Sequence, residues 1–166
     1  MSRVTHRGVP AFIVVEGPIG VGKTALSEKL ARHYGSTATL EATDSNPFLE
    51  RFYRDRKRGA LPAQLFYLFN RAQQIESLNQ EDLFSPIRVA DFLIARDRMF
   101  AEINLDPEEL KLYDQVAEQR NIQVPNPGLV VYLQAPVPTL RARMRQQGSL
   151  QSEWFDDDYL TRVSDA

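Results

Sequence analysis

The stretch FIVVEGPIGVGKTALS, Phe12 to Ser27, decides how the rest of the chain reads. Phe12–Glu16 is a short apolar run rich in β-branched residues, the pattern of a buried parallel strand. Glycines follow closely, and Lys23-Thr24 opens a segment with helical spacing. GPIGVGKT satisfies G-x-x-x-x-G-K-[ST] through Gly17, Gly22, Lys23 and Thr24, with Pro18, Ile19, Gly20 and Val21 between them. Each requirement has a physical origin. Glycine lets backbone N–H groups close around phosphate oxygens with no Cβ in the way. The helix that follows turns its positive end toward that anion. Lys23 is placed for the β- and γ-phosphates of a nucleoside triphosphate, and the Thr24 hydroxyl for Mg²⁺. A glycine turn with a solvated lysine would also match the string. The buried strand before the loop and the helix after it favour the nucleotide site.

Working outward, Thr24–Tyr34 reads as a helix stopped by Gly35. TATLEA (Thr37–Ala42) reads as a second strand ending on Glu41. PFLERFYRDRKR (Pro47–Arg58) is helical in pattern and closed by Gly59, and Pro62 suits the first position of another helix running to about Leu78. PIRVADF (Pro86–Phe92) is a third strand that leads into a helix from about Leu93. LDPEELKLYDQVAEQ opens on an Asp-Pro cap with two glutamates in its first turn, and Leu110, Tyr113 and Ala117 give it one apolar face. NPGLVVYLQAP (Asn126–Pro136) carries the strongest strand signal. Pro138 to about Gln147 is helical, and DDDYLTRVSDA begins one more helix. Strands alternate with helices, so the class is α/β: a three-layer P-loop NTPase-type parallel sheet flanked by helices. No repeat or long linker divides the chain, so a single domain over 1–166 is expected, with 1–10 as a flexible lead.

Composition excludes several classes. With 43% hydrophobic and 25% charged residues the chain has an ordinary globular balance. A net charge of -2 argues against a general nucleic-acid binder. There is no cysteine, which removes disulfides and thiolate metal sites and is compatible with a reducing cytoplasm. No apolar run approaches the roughly 20 residues needed to span a bilayer. A soluble, cytoplasmic protein is expected.

Among nucleotide-binding classes, a GTPase would carry D-x-x-G and N-K-x-D, and neither string occurs. A motor-type ATPase would end a long apolar strand on an acid, but LVVYLQAP reaches Gln134 instead. A small-molecule kinase remains. Glu41, at a strand's C-terminal end where α/β sheets place ligands, would accept a proton from a substrate hydroxyl as it attacks the γ-phosphate. A solvated strand-end glutamate is the bland alternative. Asp91 holds the matching place after the third strand, either as a Mg²⁺ ligand, directly or through water, or as a helix N-cap. Gln64 and Arg71, seven residues apart, share one helix face, which suits reading a planar heterocycle or else forms a solvated stripe.

With these residues in hand, the chain resembles the deoxynucleoside kinases, closest to their bacterial branch. The resemblance rests on IVVEGPIGVGKTALSEKLA, NPFLERFY, QLFYLFNRAQQ, VADFLIARDRMFAE and PGLVVYLQAP, with the spacings Q-x6-R and D-x5-D-R. It implies that Glu41 is the general base for the sugar 5′-hydroxyl, and that Gln64, Arg71 and Asp97 read the base. It places Tyr53 at the sugar 3′-hydroxyl, Asp91 at the acid of a Glu-Arg-Ser motif, and Arg98 after Asp97 as the pattern expects. ATP and Mg²⁺ are the implied cofactors, a deoxynucleoside the acceptor with a lean to purines, and a homodimer the implied assembly.

Two departures stand out. Phe92 replaces the arginine of Glu-Arg-Ser, leaving its phosphate role to another cation such as Arg96. The lid region, 137–155, contains RARMRQQGSLQSEW, in which Gln147 and Ser149 fall where lid arginines are expected. Arg143 and Arg145 remain to bind phosphate, and Glu153 takes the lid carboxylate role. The family's last strand and helix are not visible, which would leave a bare sheet edge. Two alternatives stay open. A nucleoside monophosphate kinase of the thymidylate kinase type would need an arginine near Glu41, which EATDSNPF lacks. A catalytically degenerate nucleotide-binding relative would fit the thin lid.

Overall fold

The computed structural model describes residues 9–41, 46–80, 87–148 and 155–165. The expectations for the lead (residues 1–8) and for Ser149 and Glu153 lie outside them.

Four parallel strands form one sheet in the order β2-β3-β1-β4: β1 (Phe12–Glu16), β2 (Ala38–Thr39), β3 (Arg88–Ala90) and β4 (Leu129–Tyr132). The alternation of β1 explains the three layers. Phe12 and Val14 pack with Ile75 and Leu78 of one helix, whereas Ile13 faces Ala31 of another. Those helices are α3 (Arg56–Gln80) and α1 (Lys23–His33), one on each face of the sheet. Every residue of β1 is buried, as a central parallel strand requires. β4 is the sheet edge among the described residues, and its Leu129, Val130 and Tyr132 are exposed.

α2 (Leu49–Arg54) precedes α3, and α4 (Ile94–Asn104) follows β3. The capped helix is α5 (Pro107–Arg120), where Asp106 accepts the Glu109 N–H at 2.8 Å and the Glu109 carboxylate accepts the Asp106 N–H at 3.3 Å. α6 (Val137–Gln146) and α7 (Asp157–Asp165) close the chain, burying Leu140, Met144, Tyr159, Leu160 and Val163 in one cluster.

The helices around residue 59 divide differently from the expected pair Pro47–Arg58 and Pro62–Leu78. The break falls at Asp55, whose backbone is extended, and Gly59 and Pro62 both lie inside α3. Asp55 starts α3, its carboxylate and carbonyl accepting the N–H groups of Arg58 and Gly59 at 3.3 and 3.0 Å. Gly59 is there for contact rather than as a stop. A Cβ on it would lie 2.3 Å from the Phe52 Cα, so only glycine lets α2 and α3 cross so closely. β2 is also shorter than expected, ending at Thr39, so Glu41 stands in the connection two residues beyond it.

Candidate active site

The C-terminal ends of β1, β2 and β3 point to one side of the sheet, where open α/β sheets gather ligand-binding groups. The phosphate-binding loop leaves β1 there. Gly17 has φ +144°, and a Cβ on it would lie 2.3 Å from the Leu133 carbonyl oxygen. Gly22 has φ +107° and opens α1. The Lys23 ammonium donates to the Gly17 and Pro18 carbonyls at 3.0 and 3.3 Å, arching over the loop. Burial and the neighbouring Arg96 cation lower the Lys23 pKa.

Asp91 sits between the loop and Glu41. One carboxylate oxygen accepts the Thr24 hydroxyl at 2.7 Å and the other the Glu41 N–H at 2.6 Å. It does not cap α4: the N-cap is Leu93, whose N–H donates to the Glu16 carboxylate at 2.9 Å. Burial raises the Asp91 pKa against the pull of these two hydrogen bonds.

The Arg71 guanidinium joins two carboxylates, giving Nη2 to Glu41 and Nη1 to Asp97. Arg71 and Asp97 are almost fully buried, and Glu41 keeps 22% of its side chain exposed. Burial alone would raise the Glu41 pKa, but Arg71 and Lys23 hold it below the ordinary carboxylate value. The Arg71 Cζ lies 5.9 Å from the Tyr67 ring and 5.6 Å from that of Phe92. The aromatic at position 92 therefore packs on a buried cation, where a second guanidinium would meet like charge.

Gln64, Tyr67 and Arg71 line a cavity of about 250 Å³ from α3, and Asp97 and Phe100 line it from α4. Lys23, Thr24, Glu41 and Asp91 close its phosphate-loop end. Gln64 is 5% exposed, and its side chain has no hydrogen bond to any described residue. Tyr53, Phe155 and Tyr159 form an aromatic wall, with Phe155 and Tyr159 stacked at 4.8 Å.

The family model for deoxynucleoside kinases matches residues 13–166. The chain belongs to the deoxynucleoside kinase family. The deoxyguanosine kinase of Bacillus subtilis is 31% identical over 154 residues, a match covering 92% of this chain and 74% of that enzyme. The deoxyadenosine kinase of Lactobacillus acidophilus is 34% identical over 165 residues, covering 91% and 75%. In fold, the chain superimposes on the deoxyadenosine kinase of M. mycoides solved with bound dATP, with a TM-score of 0.78 at 20% identity, covering 93% of this chain and 80% of that one.

Most of the kinase residues expected from sequence meet in this one cavity: Lys23, Thr24, Glu41, Tyr53, Gln64, Arg71, Asp91 and Asp97. Three do not. Arg98 points to the outside of α4, bound to Glu102 at 2.6 Å and to Asp114 of α5 at 2.6 Å, because helical geometry turns it about 100° from its neighbour Asp97. Arg143 and Arg145 flank the buried Leu140–Met144 face of α6 instead of lining the cavity. Arg143 donates to the Val21 carbonyl at 2.7 Å and braces the loop from outside, while Gln147 takes the cavity-lining place.

Other cavity residues escaped sequence reasoning. Tyr67 falls between Gln64 and Arg71 at i+3 and i−4, a spacing that could have marked it. Phe155 and Tyr159 carried no such signal, since only the return of the chain across the site brings them there.

Proposed function

We propose that this kinase transfers the γ-phosphoryl group of ATP to the 5′-hydroxyl of a deoxynucleoside, purines ahead of pyrimidines. One observation carries the reading. A phosphate-binding loop with Lys23, Thr24 and Asp91 shares a cavity with an ionised carboxylate, Glu41, and with a buried polar face of Gln64, Arg71 and Asp97. The purine preference rests on the relatives named deoxyguanosine and deoxyadenosine kinases.

Glu41 takes the 5′-hydroxyl proton, and its depressed pKa keeps it ionised at neutral pH. Gln64 offers both an amide donor and an acceptor to the edge of the base. Arg71, fixed by Asp97, would contact the base from the same face, and Tyr53 would border the sugar. Among the described residues no cluster of three or more acidic or imidazole side chains would hold a metal unaided. The Thr24 hydroxyl and Asp91 carboxylate, 2.7 Å apart, are hard oxygen donors suited to Mg²⁺ shared with phosphates. When bound, that ion would neutralise charge on the transferred phosphoryl group. No described helix is long and apolar enough to cross a membrane, and an ATP-dependent reaction of this kind suits the cytoplasm. Exposed Phe69 on α3 and Leu112 on α5, two helices that pack together, support a homodimer, which light scattering would test.

The reaction test is transfer from radiolabelled ATP to each of the four deoxynucleosides with Mg²⁺. Phosphorylation of at least one, with deoxyadenosine or deoxyguanosine foremost, is expected. No turnover by folded protein would overturn the proposal, and turnover of monophosphates alone would move it to the thymidylate-kinase type.

A further inference from the structure

We infer that Arg96 is a catalytic residue, the guanidinium that stabilises the transferred phosphoryl group. The inference rests on the kinase reading and names a group for it. Arg96 stands in the first turn of α4 and lines the cavity beside Lys23 and Thr24. Its Nη1 is anchored at the root of the phosphate loop, donating to the Glu16 carboxylate and the Gly17 carbonyl. Glu16 is itself fixed, since it is 5% exposed and accepts the N–H groups of Gly17 and Leu93 at 3.0 and 2.9 Å. The Phe100 ring, 5.0 Å from the Arg96 Cζ, holds the guanidinium plane from the side.

That anchoring uses one corner of a planar fork of five donors. Nε and Nη2 make no hydrogen bond to any described residue. Arginines frequently turn their bidentate edge to a carboxylate. Here a single nitrogen does so, and the remaining donors are left at a phosphate site.

The neighbouring charges point the same way. Arg96 is close enough to Lys23 to disfavour the lysine's charge. Glu41, Glu16 and Asp91 act against that repulsion, and both cations line the same cavity. The other arginines expected at phosphate or substrate lie elsewhere: Arg71 is held by Glu41 and Asp97, Arg98 by Glu102 and Asp114, Arg143 by the Val21 carbonyl, and Arg145 is exposed on α6 and does not line the cavity. In the reaction the 5′-oxygen forms a bond to the γ-phosphorus as the bridging β–γ oxygen bond breaks. The proton passes to Glu41, and the electron pair leaves on the β-phosphate of ADP. Charge on the γ-phosphoryl oxygens is where the free donors of Arg96 act, preset before the reaction begins.

The test compares wild type with Arg96→Lys, Arg96→Met and the double variant Arg96→Met/Glu16→Gln, which leaves no uncompensated carboxylate at the anchor. Steady-state kinetics are measured with saturating ATP and varied deoxynucleoside, with thermal denaturation alongside. Loss of one such donor group typically lowers kcat by about 10²–10³-fold. We expect a loss of that size in Arg96→Met and in the double variant, with KM for the deoxynucleoside little changed and partial recovery in Arg96→Lys. A folded Arg96→Met or double variant with wild-type kcat would reduce Arg96 to a strut and overturn the inference. A wild type without turnover would overturn the kinase reading, and the role of Arg96 with it.

Discussion

Arg71→Met removes the cation that holds two carboxylates together, and its cost follows from where those carboxylates lie. Asp97 is 3% exposed at the side chain, and its Oδ2 already lacks a hydrogen-bond partner. Without Arg71 both of its oxygens would be buried beside no cation of their own. Glu41, 22% exposed and still facing Lys23 and Arg96, suffers less. Removing one partner of a buried ion pair costs about 3–5 kcal/mol. For a chain of this size each kcal/mol moves Tm by about 2–4 °C, so a fall of about 6–20 °C is expected. The sign of the pH dependence is fixed as well. A buried carboxylate without its cation has a folded pKa above its unfolded one, so it destabilises the protein above the folded pKa and is relieved as pH falls through it. Urea unfolding of wild type and variant at pH 5.5 and 8 would read both quantities, and Asp97→Asn in the Arg71→Met background should recover part of the loss. A cost below about 1 kcal/mol, or one equal at the two pH values, would refute the claim that Arg71 neutralises buried charge.

Four further outcomes are expected. Glu41→Gln should lower kcat by about 10²–10⁴-fold with little change in deoxynucleoside KM. In the wild type, Arg71 and Lys23 outweigh the burial that pushes Glu41 up, so the acid limb of kcat/KM should fall below the ordinary value of 4.5, and an inflection near neutrality would count against Glu41 as the base. Gly59→Ala, a helix-favouring change in isolation, should destabilise by about 1–3 kcal/mol in urea unfolding, since its Cβ must push Phe52 away. Turnover should vanish in EDTA and return with Mg²⁺, while persistence in EDTA would remove Thr24 and Asp91 from metal binding.

What the sequence revealed was what local chemistry controls. The phosphate loop is legible because its glycines, lysine and threonine are adjacent, and the strand and helix around it form from their own residues. Gln64 and Arg71 are legible because helical periodicity alone places them on one face. Gly59 and Pro62 misled, since their meaning depends on Phe52 and on a helix that outweighs one lost hydrogen bond, the one the Pro62 nitrogen would have given to the Arg58 carbonyl. Arg98 misled by adjacency: one step along a helix separates the inner face of α4 from its outer face. The wall made by Phe155 and Tyr159 is a product of packing, and no spacing within the chain announces it.

The cavity's charges also show what kind of ligand it is built to exchange for. Lys23, Arg71 and Arg96 are matched there by Glu41, Asp91 and Asp97, so its side chains offer a polyphosphate no net attraction. Each cation is, moreover, already engaged: Lys23 on loop carbonyls, Arg71 on two carboxylates, Arg96 through one nitrogen on Glu16. On the proposed reading, attraction would come from the loop's N–H groups, the positive end of α1 and a divalent cation that Thr24 and Asp91 would hold. Phosphate would draw Lys23 off the carbonyls, a neutral contact that is easily exchanged. It would compete poorly for Arg71, which two carboxylates hold. The division of labour we propose is therefore electrostatic: Lys23 and the free donors of Arg96 would serve the phosphates, and Arg71 would stay with the acceptor end of the cavity.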